Sequence, residues 1–159
     1  MRRREYSSSV EGGGLVFVAV YGSLRKGLGL HHRIGHMPFI GQGVLKGGDL
    51  YSYGPFPALV LRDDESKEVT VEVYAVDYNT LKILDGIEGG YDRDVVTIHF
   101  ESGATCQALI YTQTPRDVAG KPHVPGGDWT EYKRQHDWHR ASIGQATDGW
   151  GPRDIFSEA

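Results

Sequence analysis

Residues 15–27 read Leu15-Val16-Phe17-Val18-Ala19-Val20-Tyr21-Gly22-Ser23-Leu24-Arg25-Lys26-Gly27. Six apolar residues that end in a Gly-Ser turn predict a strand buried on both of its faces. A buried strand that delivers such a loop can present backbone N–H groups at the edge of a cavity, where a carboxylate or an oxyanion would bind. This segment therefore predicts one central strand and one half of a candidate site.

The length and composition of the chain predict one globular domain. The 159 residues are 39% hydrophobic, which suits a single domain with a sizeable core. Residues 1–14 contain a run of three arginines and three glycines, and we expect a flexible leader there. We expect a single domain over residues 15–148 and an irregular tail over residues 149–159.

The charge and the cysteine content limit the classes of partner. The formal net charge is −4, from 17 basic and 21 acidic residues, and the sequence shows no basic stripe typical of a nucleic-acid-binding protein. No apolar run reaches the roughly 18 residues that a membrane-spanning helix needs. The single cysteine, Cys106, fits a reduced, cytoplasmic setting. We expect a cytoplasmic protein that binds neither nucleic acid nor membrane, and the oligomeric state is left open.

Hydrophobic periodicity predicts the fold class. Residues 68–77 alternate with period two and are rich in β-branched side chains, which predicts a strand. Residues 79–86 switch to helical spacing, with Asp77 or Asn79 as the N-cap and glycines as the stop. A capping box at Asp128 predicts a helix from 129 to about 143, after a loop over 115–127 without periodicity. Strands on both sides of one helix favour an α+β fold with a strongly curved or barrel-like sheet.

The candidate reactive side chain is Glu88, which follows the predicted helix and precedes two glycines. A carboxylate at a helix C-terminus meets the negative end of the helix dipole, and burial in a cavity also disfavours its charge. Both effects would raise the pKa of Glu88 towards neutrality, where a general acid/base works best. The alternative is a solvated carboxylate in a glycine-rich loop.

Other catalytic chemistries find little support in the sequence. His31, His32 and His36 lack the glutamate of an H-E-x-x-H zinc motif, so no metal site is predicted. The turn at Ser23 lacks the G-x-S-x-G pattern of a serine hydrolase. The Arg25-Lys26-Gly27 segment lacks the spacing of a phosphate-binding loop.

Five segments in a consistent order resemble the γ-glutamylcyclotransferase-like family, in particular its AIG2-like and γ-glutamylamine cyclotransferase branch. They are Tyr21–Gly27, Phe56–Val60, Glu72–Asp77, Leu84–Gly89 and Tyr91–Arg93. The resemblance implies a small mixed β-barrel with flanking short helices. It also implies a cofactor-free cyclotransferase that converts a γ-glutamyl amine or amide to 5-oxoproline and a free amine.

The resemblance assigns roles to Glu88 and to the loop after the first strand, and the positions of four other residues in the sequence make them further candidates. Glu88 corresponds to the acid/base of the family, and the loop of Tyr21, Gly22, Ser23 and Leu24 would bind the γ-glutamyl group. Arg25 is a candidate partner of the substrate carboxylate, or else a solvated cation after the turn. Tyr111 is a candidate ligand contact at the mouth of the cavity. Tyr91 and Arg93 are candidate supports of the loop that carries Glu88, or else Arg93 lies on the surface.

Two alternatives to an enzyme stay open at this stage. The same pocket could hold a small acidic or nucleotide-like ligand without turnover, which a salt bridge between Glu88 and Arg93 would favour. The Trp- and His-rich segment after Pro115, where the resemblance fades, could instead serve as an interaction surface.

Overall fold

The computed structural model describes residues 14–143, with side chains as far as His136. Five strands form a closed barrel: β1 (Val16–Val20), β2 (Phe39–Lys46), β5 (Glu68–Val76), β6 (Asp92–Phe100) and β7 (Thr105–Thr112). A separate three-stranded sheet consists of β3 (Gly48–Ser52), β4 (Pro57–Leu61) and β8 (His123–Val124). Two α-helices flank the strands: α1 (Tyr78–Ile87) and α2 (Trp129–Ile143). The prediction of an α+β fold built on a small mixed β-barrel is confirmed.

The barrel closes around β1, the strand that opens the described fold. It pairs antiparallel with β5 and parallel with β7, in the barrel order β1-β5-β2-β6-β7. Val18 and Ala19 are fully buried, and Phe17 is half-buried. Because the strand has a neighbour on each edge and packing on both faces, it holds the loop that follows it in a fixed place. The prediction of a buried central strand is confirmed.

Strand β5 is buried on both faces as well, although its second face is polar. Val69, Val71 and Val73 pack into one apolar cluster inside the barrel. Glu72 and Tyr74, which point the other way, are also buried. A buried carboxylate needs partners to offset its desolvation, so Glu72 must have a structural or functional contact.

Helix α1 carries Glu88 at its C-terminal end. The side chain of Asp77 accepts a hydrogen bond from the Thr80 N–H at 2.8 Å and so caps the N-terminus. Leu81 and Leu84 are buried and fix the helix against the barrel. The helix continues through Gly86, where the sequence predicted a stop, and ends at Ile87.

The C-terminal part of the described chain holds one predicted helix and one strand that the sequence did not predict. Asp128 accepts from the Glu131 N–H at 3.2 Å, as the capping box requires, and helix α2 follows. The preceding loop contains β8, which pairs with β3. Gly127 has φ +65°, and a Cβ there would lie 2.0 Å from the Glu68 carbonyl oxygen, so only glycine fits.

Two further findings concern the ends of the chain and the membrane. The predicted leader up to residue 13 and the predicted tail from residue 149 lie outside the described residues. No helix within residues 14–143 has both the length and the apolar character needed to cross a membrane.

Candidate active site

A cavity of about 320 Å³ lies where the loop after β1 meets the β3–β4 turn and the end of α1. Its lining brings together seven residues that the sequence singled out: Tyr21, Gly22, Ser23, Leu24, Glu88, Tyr91 and Tyr111. Its other lining residues are Ala19, Val20, Leu30, Tyr53, Phe56, Pro57 and Ile87. The two halves of the predicted site, more than 60 positions apart in sequence, therefore face one space.

The loop after β1 is held through its carbonyl groups. The Gly22 carbonyl accepts from the Arg25 N–H, and the Ser23 carbonyl accepts from the Leu30 N–H, both at 2.9 Å. His31 Nδ1 donates to the Leu24 carbonyl at 2.9 Å. In a planar trans peptide unit the C=O and the following N–H point in opposite directions. The N–H groups of Ser23 and Leu24 therefore point away from these partners.

Gly22 and Pro57 are in close contact across the cavity wall. A Cβ on Gly22 would lie 2.6 Å from the Pro57 Cγ, so any larger residue would displace one of the two segments. Tyr91 fixes Pro57 from the other side, because its hydroxyl donates to the Pro57 carbonyl at 2.7 Å. The loop, the β3–β4 turn and the segment after α1 thus support one another.

Arg25 lies in a buried ion pair, and it is not one of the described residues that line the cavity. Its Nε is 3.2 Å from Glu72 Oε2, and its Nη1 is 2.9 Å from Asp128 Oδ1. Glu72 Oε1 also accepts from the Lys26 N–H and from the Tyr74 hydroxyl, each at 3.0 Å. This placement differs from the expectation that Arg25 binds substrate, because two carboxylates already use its guanidinium. Arg25 instead fixes the loop to β5 and to the start of α2.

Glu88 is the C-cap residue of α1, and its half-buried side chain contributes to the cavity wall. Burial raises the pKa of its carboxyl to about 7. Of the described residues that line the cavity, it is the only one with a side chain that ordinarily ionises below neutral pH. Burial and the negative charge of Glu88 also raise the pKa of Tyr21 well above its ordinary value, so that phenol stays protonated.

Tyr111, Asp85 and Arg93 form a chain of hydrogen bonds beside the cavity. The Tyr111 hydroxyl donates to Asp85 Oδ1 at 2.8 Å, and Arg93 Nη1 donates to Asp85 Oδ2 at 2.6 Å. Tyr21 donates its hydroxyl to the Tyr111 carbonyl at 2.7 Å. Arg93 therefore pairs with Asp85, three residues before Glu88, and lies outside the cavity lining of the described chain. Its support of the Glu88 segment is indirect, and its guanidinium is engaged by Asp85.

Several residues that line the cavity were not predicted from the sequence. Tyr53 and Phe56 come from the turn between β3 and β4, Pro57 is the first residue of β4, and Leu30 and Ile87 complete the apolar wall. The available signal was a turn of glycine and prolines that carries two aromatic side chains, which is unusual for a solvated turn. The turn alone does not show which surface these aromatic rings cover.

The described residues offer no cluster of ligands for a metal ion. Nowhere in residues 14–143 do three or more His, Cys, Asp or Glu side chains come together in a suitable arrangement. His31 contacts the Leu24 carbonyl, and His36 Nε2 lies 3.3 Å from the Thr80 hydroxyl. These two histidines thus have contacts within the fold.

The fold and the cavity define a small closed barrel with a single ionisable carboxyl in an otherwise neutral, small-molecule-sized pocket. The chain belongs to the gamma-glutamyl cyclotransferase, AIG2-like family, whose family model matches residues 18–131. The matched range contains all of the cavity-lining residues.

Proteins similar to this chain occur in bacteria and archaea. A protein of Methanocaldococcus jannaschii is 37% identical over 122 residues, which cover 74% of this chain and 98% of that protein. A Bacillus subtilis protein is 30% identical over 72% of this chain, and the match covers 41% of that longer protein. Both carry the name gamma-glutamylcyclotransferase provisionally. A family protein of Escherichia coli is 31% identical, over 72% of this chain and 96% of its own length.

Solved structures share the fold. An uncharacterized protein of Pyrococcus horikoshii is 31% identical with a TM-score of 0.59, over 78% of this chain and 98% of that chain. An AIG2-like protein of Mus musculus is 24% identical with a TM-score of 0.59, over 72% of this chain and 94% of that chain. The latter similarity shows the fold alone.

Proposed function

We propose that this protein is a cofactor-free cyclotransferase that converts a γ-glutamyl amine or amide to 5-oxoproline and a free amine. The observation that carries the proposal is a carboxyl with pKa about 7, Glu88, in one cavity with the Gly22–Leu24 loop. Family membership supports the same reaction class. The Tyr21–Leu24 loop would bind the γ-glutamyl group, and Glu88 would act as general acid/base.

The reaction needs one proton carrier and no second substrate. Glu88 removes a proton from the α-ammonium, and the resulting amine attacks its own γ-carbonyl carbon to form a new C–N bond. The tetrahedral intermediate then breaks the bond to the leaving nitrogen, which Glu88 protonates. Glu88 then removes a second proton from the ring nitrogen, which keeps one of its three hydrogens, and passes that proton to the released amine, which leaves as an ammonium. Because nucleophile and electrophile share one molecule, much of the entropic barrier is absent once the substrate is held folded.

The pKa of Glu88 suits both halves of this proton transfer. A carboxyl that titrates near pH 7 is sufficiently ionised to accept the first proton and sufficiently acidic to return it to the leaving nitrogen. An ordinary solvated glutamate would be a much weaker base. Burial of Glu88 is therefore the feature of the site that prepares it for acid–base work.

The N–H groups of Ser23 and Leu24 are the candidate oxyanion donors. Their peptide carbonyls are bound on the opposite side, so the two N–H groups are available to an oxygen in the cavity. The Arg25–Glu72 pair holds this loop without adding a side-chain charge to the cavity lining. A preformed loop of this kind costs little reorganisation when the oxyanion develops.

The proposal is tested by incubating the protein with a panel of γ-glutamyl amides and following 5-oxoproline by mass spectrometry. Parent protein is expected to release 5-oxoproline and the amine in equal amounts. Glu88→Gln is expected to lose activity by roughly 10²- to 10⁴-fold. Glu65→Gln, which removes an exposed carboxylate of a polar turn, is the matched control and retains parent activity.

Two results would count against the enzyme. One is an absence of 5-oxoproline from every member of the panel while a γ-glutamyl compound still binds, which would favour the binding module. The other is full activity in Glu88→Gln with an unchanged fold by circular dichroism. The pairing of Arg93 with Asp85 already removes the salt bridge to Glu88 that would have favoured a binding module.

A further inference from the structure

The cavity has a deep part and a mouth that differ in exposure. Tyr21, Leu24, Leu30 and Tyr111 are all buried, with no more than 6% of their surface exposed. Tyr53, Phe56, Ile87 and Tyr91 are half-buried, which places them nearer to solvent. Gly22, Ser23 and Glu88 are half-buried as well. In the proposed binding mode the γ-glutamyl group contacts the Tyr21–Leu24 loop, so the leaving amine extends towards the other half-buried lining residues.

The half-buried part of the lining includes aromatic and aliphatic side chains. Tyr53 and Phe56 come from the β3–β4 turn, whose geometry is fixed by the Tyr53 N–H donating to the Phe56 carbonyl at 2.8 Å. Tyr91 packs against the same apolar cluster as Tyr53, and its hydroxyl donates to the Pro57 carbonyl next to Phe56. Ile87 completes this wall at the end of α1. A leaving amine that passes this rim meets apolar surface.

The electrostatics of the lining disfavour a second charge on the leaving amine. The lining contains one carboxyl, Glu88, which the α-ammonium of the substrate requires, and no lysine, arginine or histidine among the described residues. Lys121 lies near the turn, with its Nζ 5.2 Å from the centre of the Tyr53 ring, and it is outside the lining. A charged leaving group would lose part of its hydration at this half-buried rim, and the lining offers it no opposite charge besides Glu88.

We propose that the substituent on the scissile amide nitrogen is apolar and carries no charge, as in an aromatic or branched alkyl amine. Tyr53 and Phe56 select this substituent. This inference rests on the proposed cyclotransferase function and names its substrate class. The volume of about 320 Å³ accommodates a γ-glutamyl group together with one ring-sized substituent, at the small end of ligand sites. Amino-acid and diamine leaving groups are the disfavoured classes.

Two matched substrate pairs test the inference on the unaltered protein. γ-Glutamyl-phenethylamide and γ-glutamyl-phenylalanine differ only in a carboxylate. γ-Glutamyl-pentylamide and the γ-glutamyl amide of 1,5-diaminopentane differ only in a terminal ammonium. The uncharged member of each pair is expected to have the higher kcat/KM, by roughly tenfold or more and mainly through KM, because its binding buries no unpaired charge.

The outcomes separate the inference from the function on which it rests. Equal kcat/KM values within either pair, or a preference for the charged member, would overturn the inference while 5-oxoproline release upholds the cyclotransferase. An absence of 5-oxoproline from all four compounds would overturn both. No variant is needed for this comparison, so folding defects cannot affect it.

A pair of charge-introducing variants then assigns the selection to the rim. Phe56→Asp is expected to shift the preference of the pentylamide pair towards the ammonium-bearing member by roughly tenfold, because the new carboxylate partners that ammonium. Tyr78→Asp is the matched control, since Tyr78 is an exposed aromatic at the opposite end of α1. An identical shift in both variants, or none in Phe56→Asp, would contradict the role of the rim.

Discussion

The buried pair between Arg25 and Glu72 allows a prediction in which stability and activity change together. Both side chains are about 6% exposed, and Glu72 Oε2 accepts from Arg25 Nε at 3.2 Å. The other oxygen, Oε1, accepts from the Lys26 N–H and the Tyr74 hydroxyl. In Glu72→Gln, the amide oxygen can keep those two bonds only if the NH₂ group faces Arg25. Two donors would then oppose each other.

The magnitude follows from the burial of this contact. Breaking a buried ion pair by removing one partner costs about 3–5 kcal/mol, which for a domain of this size lowers Tm by roughly 6–12 °C at the lower figure. Asp128 retains its bond to Arg25 and offsets part of the loss. Because Arg25 follows the Gly22–Leu24 loop directly, we also expect kcat/KM for 5-oxoproline release to fall by roughly 10- to 100-fold.

The assay combines urea unfolding, thermal unfolding and steady-state kinetics on Glu72→Gln. Glu101→Gln serves as the control, because Glu101 lies exposed in the β6–β7 turn. The double variant Arg25→Met with Glu72→Met is expected to recover part of the stability without the activity. A Glu72→Gln protein with stability within 1 kcal/mol of the parent and an unchanged KM would refute the claim that this pair anchors the loop.

Three further predictions follow from individual contacts. Gly22→Ala is expected to lower kcat/KM by roughly tenfold or more, because its Cβ would lie 2.6 Å from the Pro57 Cγ. Unchanged kinetics would show that the two segments can move apart without affecting catalysis. Asp77→Ala removes the cap bond to Thr80, and we expect a loss of about 1 kcal/mol in urea unfolding with little effect on kcat. Burial raises the pKa of Glu88 from 4.5 to about 7, so the folded state holds this proton more tightly, and the resulting stability is lost as the pH rises through 7. Between pH 5 and pH 8 the parent should lose about 2–3 kcal/mol of stability relative to Glu88→Gln, and parallel pH profiles would contradict this.

Local patterns in the sequence were sufficient to predict two of the barrel strands, β1 and β5, and both flanking helices. The alternation of residues 68–77 marks β5, and the Asp128–Glu131 capping box marks the start of α2, because both signals depend on neighbours in sequence. The direction of the Glu88 pKa shift was also predictable. The sequence suggested the helix dipole and burial as causes, and burial is the one that the structure supports.

Long-range pairing could not be predicted in the same way. Arg25 looked like a solvated or substrate-binding cation because its partners, Glu72 and Asp128, are 47 and 103 positions away. The two-residue strand β8 is too short for any periodicity, and it forms because β3 offers an open edge. The positions of Tyr53 and Phe56 at the cavity could not be predicted for a similar reason. The surface that these two rings cover depends on how the second sheet packs on the barrel.

We propose that Glu88 carries protons in a site where its pKa is about 7, and its titration would then appear in a pH–rate profile. The kcat/KM for 5-oxoproline release would be measured from pH 5 to pH 9 for the parent and for Glu88→Gln. We expect a rising limb in the parent with an apparent pKa near 7, and a Gln variant that is roughly 10²- to 10⁴-fold slower and lacks this limb. A Gln variant that keeps the parent rate, or the same limb, would contradict it.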